Sequence, residues 1–93
     1  MSDTDRFYEK LRNQLKEATV FPADYLYKFI VPSGGDKVAA IQEIFNEGGA
    51  VIKTKKSKTG KYISVSILLH VQHADEIIAY YKKTSTIEGI ISL

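Results

Sequence analysis

Hydrophobic and polar residues alternate most strictly between Lys61 and Val71. Ile63, Val65, Ile67, Leu69 and Val71 share one parity, and Tyr62, Ser64, Ser66, Leu68 and His70 the other. Successive strand side chains take opposite faces, so the pattern predicts a strand with one apolar face and one mixed face. Ser57-Lys58-Thr59-Gly60 suits a type I turn closed by a left-handed glycine, which predicts a hairpin with a strand over residues 50–56. Tyr25 to Val31 alternates too, with Tyr27, Phe29 and Val31 inward and Leu26, Lys28 and Ile30 outward. Ile87 to Leu93 reads as a short closing strand.

Three segments follow the helical period. Phe7, Leu11, Leu15 and Ala18, with Tyr8 beside them, predict a helix over residues 3–18. Asp3 and Asp5 suit its N-terminus, and Pro22 blocks its continuation. Val38, Ile41, Ile44 and Phe45 mark a second helix, with Asp36 as its cap and Gly48-Gly49 as its end. Ala74, Ile77, Ile78 and Tyr81 mark a third, from about His73 to Thr84.

The order is a helix followed by βαββαβ. Two βα units joined through a hairpin predict an α+β, ferredoxin-like sandwich. Right-handed crossovers give an antiparallel sheet in the order 4-1-3-2 with two helices on one face. Residues 1–20 then form an N-terminal helical extension and residues 21–93 the ferredoxin-like domain. The apolar stripe of the extension must pack over the sheet edge or the helical layer.

Composition narrows the function classes. The chain has 93 residues, 44% of them hydrophobic, and no cysteine, so a real core is expected without disulfides or thiolate chemistry. The polar start MSDTDRFYEK lacks the apolar core of a secretory signal, and no run approaches the length of a spanning helix. A cytoplasmic location away from the membrane is the expectation. Net charge is +2, but Lys53, Lys55, Lys56, Lys58 and Lys61 lie within nine residues that hold no acid. The rest of the chain carries eight basic against eleven acidic residues, so one end is basic.

Phe21-Pro22, Tyr27-Lys28, the stretch Ser57 to Ser66 with Gly60, Tyr62 and Ser64-Val65-Ser66, and Tyr80-Tyr81 before a closing strand resemble the YbeD-like proteins. These are small bacterial proteins classed as a domain of unknown function, and the resemblance runs over roughly residues 10–93. It implies a ferredoxin-like fold similar to the ACT regulatory domains, and a regulatory role that the family label ties to lipoic acid. It carries over no catalytic residue. The longer N-terminal helix and the lysine-rich hairpin depart from the family pattern.

The candidate sites are few. The lysine cluster fits an anion or partner surface, or the guarding of an edge strand against aggregation. Lys53 and Lys55 share a face opposite Lys56, which favours guarding. Nucleic-acid recognition is disfavoured, because Tyr62 is the one outward aromatic of the central strand. Ser33, Gly34, Gly35 and Asp36 open a helix and could hold a small anion. Thr59-Gly60-Lys61 lacks the upstream glycine and the following Ser/Thr of a phosphate loop. His70 and His73 read as solvated rather than metal-binding, and no metal or cofactor is expected.

The outward sheet face is half apolar. Leu26, Ile30, Tyr62, Leu68 and Ile90 surround Lys28, Ser64, Ser66, His70 and Ser92. The added helix, a second subunit in a homodimer or a ligand would cover it. No convergent acid, base and nucleophile is visible, so an enzyme is not expected. The expected function is a non-enzymatic regulatory or interaction domain, ACT-like, working through a small ligand or protein partner. An electrostatic nucleic-acid or anion binder using the hairpin 53–61 is the alternative.

Overall fold

A computed structural model describes residues 3–93 of the protein; Met1 and Ser2, part of the extension expected over residues 1–20, lie outside the described residues. The elements run α1 (Asp3–Ala18), β1 (Ala23–Pro32), α2 (Lys37–Phe45), a 3-10 turn (Asn46–Gly48), β2 (Val51–Lys56), β3 (Tyr62–Val71), α3 (Ala74–Thr84) and β4 (Ile91–Ser92). The sheet is antiparallel in the order β2-β3-β1-β4, the expected order read from its other edge. β3 is central, between β2 and β1.

Register places the core. Tyr27, Phe29 and Val31 lie opposite Ile67, Val65 and Ile63, and Ile52 lies opposite Ile67 on the next strand. Ile41 and Phe45 of α2 and Ala74, Ile77 and Ile78 of α3 close over that face. Tyr27 is fully buried, with ring centroids of Tyr81 at 5.0 Å and Phe45 at 5.1 Å. Its hydroxyl donates to the Ile77 carbonyl at 3.2 Å, so the one polar atom of a buried ring is satisfied. An unmet hydroxyl there would cost about 1–3 kcal/mol.

Glycine matters at the hairpin turn and at the end of α2. Gly60, at φ 72°, turns the hairpin, whose Gly60 N–H donates to the Ser57 carbonyl at 3.0 Å. Gly48 is exposed, but a Cβ there would come within 2.9 Å of Leu69 Cδ1 and 3.2 Å of the Tyr80 hydroxyl, side-chain tips that would have to shift. It therefore does more than end the helix. The left-handed step after α2 falls to Gly49, at φ 69°.

α1 joins the helical layer, against α3. Leu15 is buried in the core, with Tyr8 and Leu11 packed against it. Arg12 Nε lies 2.5 Å from Asp75 Oδ1 in the first turn of α3. Its N–H is not aimed at the carboxylate, so attraction of charge rather than a directed hydrogen bond links the two. Asp75 is exposed and the Arg12 side chain, although its Nε is shielded, keeps about a third of its surface in water, which keeps the contribution small.

Several expectations need correction. The stripe of α1 is rotated: Phe7 and Ala18 are exposed, and Tyr8 and Arg12 turn inward beside Leu11 and Leu15. Asp36 occupies the N-cap position of α2, but its side chain makes no capping bond. Ile63 is half-buried rather than buried. The closing strand spans only Ile91–Ser92, because backbone hydrogen bonds Ile87 N to Thr84 O and Ile90 N to Ile87 O hold the preceding residues in turns. That late start shifts the parity. Ile91 lies opposite Ile30 on the open face, while Ile90 and Ser92 face the helices. A one-residue slip moves every strand side chain to the other face.

Ile67→Asp is expected to abolish the fold. An unpaired carboxylate in the core costs several kcal/mol, comparable to the whole stability of a small domain. Circular dichroism and a thermal melt check this, with loss of the cooperative transition as the expected result.

Candidate functional site

A cavity of about 520 Å³ lies between α1, α3, β1 and the C-terminal segment. Phe7, Tyr8 and Leu11 of α1 form one wall, Tyr81, Thr84 and Ser85 of α3 another, and Tyr25 and Phe29 of β1 the floor; Ile90, Ser92 and Leu93 close the remaining side. Each element delivers these groups for a local reason. Odd residues of β1 face the helices, so Tyr25 and Phe29 reach the cavity from either side of Tyr27. The rotated α1 leaves Phe7 at the mouth, 62% exposed and edge-on to Tyr8 at 5.5 Å. The slipped parity of β4 brings Ile90 and Ser92 in.

The lining is aromatic with a small polar centre. The hydroxyls of Tyr25 and Tyr81 pair at 2.8 Å, joining β1 to α3. Burial pushes the Tyr81 phenol well above the ordinary tyrosine value; the bond to Tyr25 adds to the rise and a bond to Ser92 opposes it. Burial raises Tyr27 likewise, reinforced by its tyrosine neighbours. Both stay neutral through the physiological range. Thr84 Oγ1 donates to the Tyr81 carbonyl at 3.0 Å and Ser85 Oγ to the Lys82 carbonyl at 2.7 Å, so these hydroxyls are engaged by their own helix. Lys82 Nζ stands 5.4 Å from the Tyr8 ring centroid, placing a cation on the outer side of the α1 wall.

The sheet face away from the helices is uncovered. Leu26, Ile30, Tyr62 and Leu68 share it, as expected, but Ile90 does not, and Ile91 stands in its place. The added helix is not the cover, since α1 lies in the opposite layer. Lys53 and Lys55 are also on this face, opposite Ser66 and Ser64, with Lys28 on the far side of Ser66. Lys56 points to the helical side beside Ile63, while Lys58 and Lys61 flank the hairpin turn. The structure thus splits the five lysines three ways. A shallow groove of about 320 Å³ collects Lys55, Lys56 and Lys58 around Tyr62.

The glycine loop is tied to the hairpin. The Ser33 hydroxyl donates to the Gly60 carbonyl, and the Ser33 N–H to the Lys61 carbonyl at 2.8 Å. Ser33 is thereby engaged, while Gly34, Gly35 and Asp36 are exposed around the start of α2. His70 is not merely solvated: its Nδ1 lies 2.8 Å from Asp24 Oδ1 across the β1–β3 pair. Among the described residues no cluster of three or more histidines, cysteines or carboxylates could hold a metal, and no helix is long and apolar enough to cross a membrane.

The model of a family described as a protein of unknown function (DUF493) matches residues 16–93. A UPF0250 protein of Erwinia tasmaniensis is 28% identical over 81 residues, covering 84% of this chain and 93% of the relative. One of Haemophilus influenzae is 29% identical over 83 residues, covering 83% and 87%. The solution structure of protein HP0495 from H. pylori superposes with a TM-score of 0.68 at 19% identity, covering 82% of this chain and 86% of that one. At that identity the likeness speaks for the fold alone. The family match begins after Phe7, Tyr8 and Leu11, the α1 wall of the cavity.

The raised phenols predict sensitivity to alkali. An unfolded tyrosine ionises near 10, whereas Tyr27 and Tyr81 hold their protons above that value when folded. Their contribution to stability is complete below about pH 10 and is lost as pH rises above it, because the folded state then binds more protons. Phenolate absorbance followed beside circular dichroism should show at least two of the six tyrosines ionising only as the fold is lost. All six titrating with an unchanged fold would contradict the burial argument.

Proposed function

This chain belongs to the DUF493 family of proteins of unknown function, and we propose that it acts there as a non-enzymatic regulatory or interaction domain, ACT-like, that responds to a small apolar or aromatic ligand held between α1 and α3. The observation that carries this reading is the aromatic cavity. Its volume of about 520 Å³ lies within the roughly 300–1,000 Å³ of small-molecule sites, which are mostly apolar with a few placed polar groups. The paired Tyr25 and Tyr81 hydroxyls supply such a group, able to donate to or accept from a ligand carbonyl or hydroxyl.

The lining also supports a binding role over catalysis. Burial makes Tyr81 hold its proton too tightly to serve as a base near neutral pH, and the Thr84 and Ser85 hydroxyls already donate to backbone. Occupancy would bear on the position of α1, which supplies one wall and meets the rest of the domain through Leu15, Tyr8, Leu11 and the Arg12–Asp75 pair. A ligand would thus be read as the docking of a helix. The alternative, an anion or nucleic-acid surface, draws on Lys28 joining Lys53 and Lys55 on the open face. Tyr62 is the one aromatic exposed there, which is thin support for base stacking.

The neutral fluorophore N-phenyl-1-naphthylamine tests the cavity. One-site binding that changes little with salt is expected. Ile90→Trp, which fills the cavity, should abolish it, and Phe7→Ala, which opens the mouth, should weaken it several-fold. Absence of binding, or binding indifferent to both changes, would sink the reading.

Replacing Lys55, Lys56, Lys58 and Lys61 with serine separates the two classes. The variant should stay folded, retain the fluorophore and aggregate more readily, as expected of an unguarded edge. Tight, salt-sensitive binding of RNA or DNA by the wild type would favour the alternative if the variant loses it. The salt slope should then fall by about 0.7–0.9 per lost phosphate contact.

A further inference from the structure

We propose that the uncovered sheet face is the contact surface of a homodimer, with a two-fold axis crossing the strands at the row Leu26–Leu68–Val51, so that Asp24 of each copy meets Lys28 of the other. The surface lies on the opposite side of the sheet from the cavity and does not depend on that reading. Strand register arranges the face in rows. Asp24 and His70 form the first; Leu26, Leu68 and Val51 the second; Lys28, Ser66 and Lys53 the third; Ile91, Ile30, Ser64 and Lys55 the fourth. The second row is wholly apolar, and its members are 48%, 43% and 56% exposed. The three α-helices lie on the other side of the sheet, so among the described residues nothing in the same chain covers it.

Two such faces can meet only about an axis lying in the contact plane, and a closed pair requires the patch to complement itself. An axis running across the strands returns each strand onto its own copy in the opposite sense. Charge then chooses the row. An axis on the third row would set Lys28 against Lys28 and Lys53 against Lys53, which like-charge repulsion forbids at a desolvated contact. An axis on the second row stacks Leu26, Leu68 and Val51 on themselves. It also exchanges the first and third rows, about 7 Å to either side at two residues per row. Asp24 then faces Lys28 twice. Only Oδ1 of Asp24 is engaged by His70, which leaves Oδ2 for the lysine. Lys53 and Lys55 fall at the rim, where they stay solvated. Sheets packed this way sit about 10 Å apart and within about 30° of alignment, a separation these side chains span.

Sedimentation equilibrium on the full chain tests the arrangement, with circular dichroism to establish that each variant is folded. The wild type should be a dimer, and Leu68→Glu a folded monomer. Asp24→Lys and Lys28→Asp should each raise the dissociation constant about tenfold, since each turns two attractive pairs repulsive. The double variant Asp24→Lys/Lys28→Asp should return to within about threefold of the wild type. A wild type that stays monomeric at high concentration would overturn the proposal, and so would a dimer that survives Leu68→Glu. A double variant as weak as the singles would overturn the second-row axis.

Discussion

The Tyr27 hydroxyl bonded to the carbonyl of Ile77 is the contact on which the rest of the structure hangs. Tyr27 is at the middle of β1 with no exposed surface, and its ring touches aromatics from β1, α2 and α3. A phenol can be buried there only because the helix above offers an acceptor, and that acceptor fixes the height and rotation of α3. With α3 set, Tyr81 meets Tyr25, Thr84 enters the core and Asp75 faces Arg12. The position of α1 therefore descends from a bond made two elements away.

Putting all helices on one side of the sheet has two consequences. The helical side becomes crowded, and α1 cannot close fully over the aromatics of β1 and α3, which leaves the cavity. The opposite side stays bare, which leaves Leu26, Leu68 and Val51 in water. β1 is common to both. Its odd residues Tyr25, Tyr27 and Phe29 build the core and the cavity floor, and its even residues Asp24, Leu26 and Lys28 carry the charged and apolar positions of the open face. One strand thus serves two surfaces through the alternation of its side chains.

The electrostatics follow the same division. The cavity is lined by phenols, among which burial holds Tyr81 neutral, and Lys82 stands against the Tyr8 ring of its α1 wall. The open face is a region of solvated charge, in which acid and base lie on either side of an apolar row. Apolar chemistry suits the first and paired surfaces the second. The hairpin lysines belong wholly to neither, because Lys56 turns to the helical side while Lys53 and Lys55 stay on the open one.

Much of this was legible from local pattern. The α+β class, the strand order, the central place of β3, the buried set Tyr27, Phe29, Val65, Ile67 and Leu69, and the three helices follow from periods of two and of about 3.6 together with the turn residues. Those are properties of neighbouring residues, so the chain states them directly. The cavity was not legible, although the Tyr80-Tyr81 pair and an aromatic at Phe7 were its traces. It depends on how α1 rotates, and a stripe of Phe7, Tyr8, Leu11 and Leu15 admits two rotations until α3 presents a surface to pack against. The parity of β4 is where the local pattern misleads: it puts Ile90 and Ser92 outward, whereas Ile91 takes the open face, because Ile87, Ile90 and Ile91 are interchangeable in composition. The number of residues spent in turns before pairing with β1 made the choice. Local order along the chain sets which residues are apolar and at what period they recur. The tertiary structure decided which of several equally apolar positions meet one another, because that depends on contacts between elements far apart in the chain.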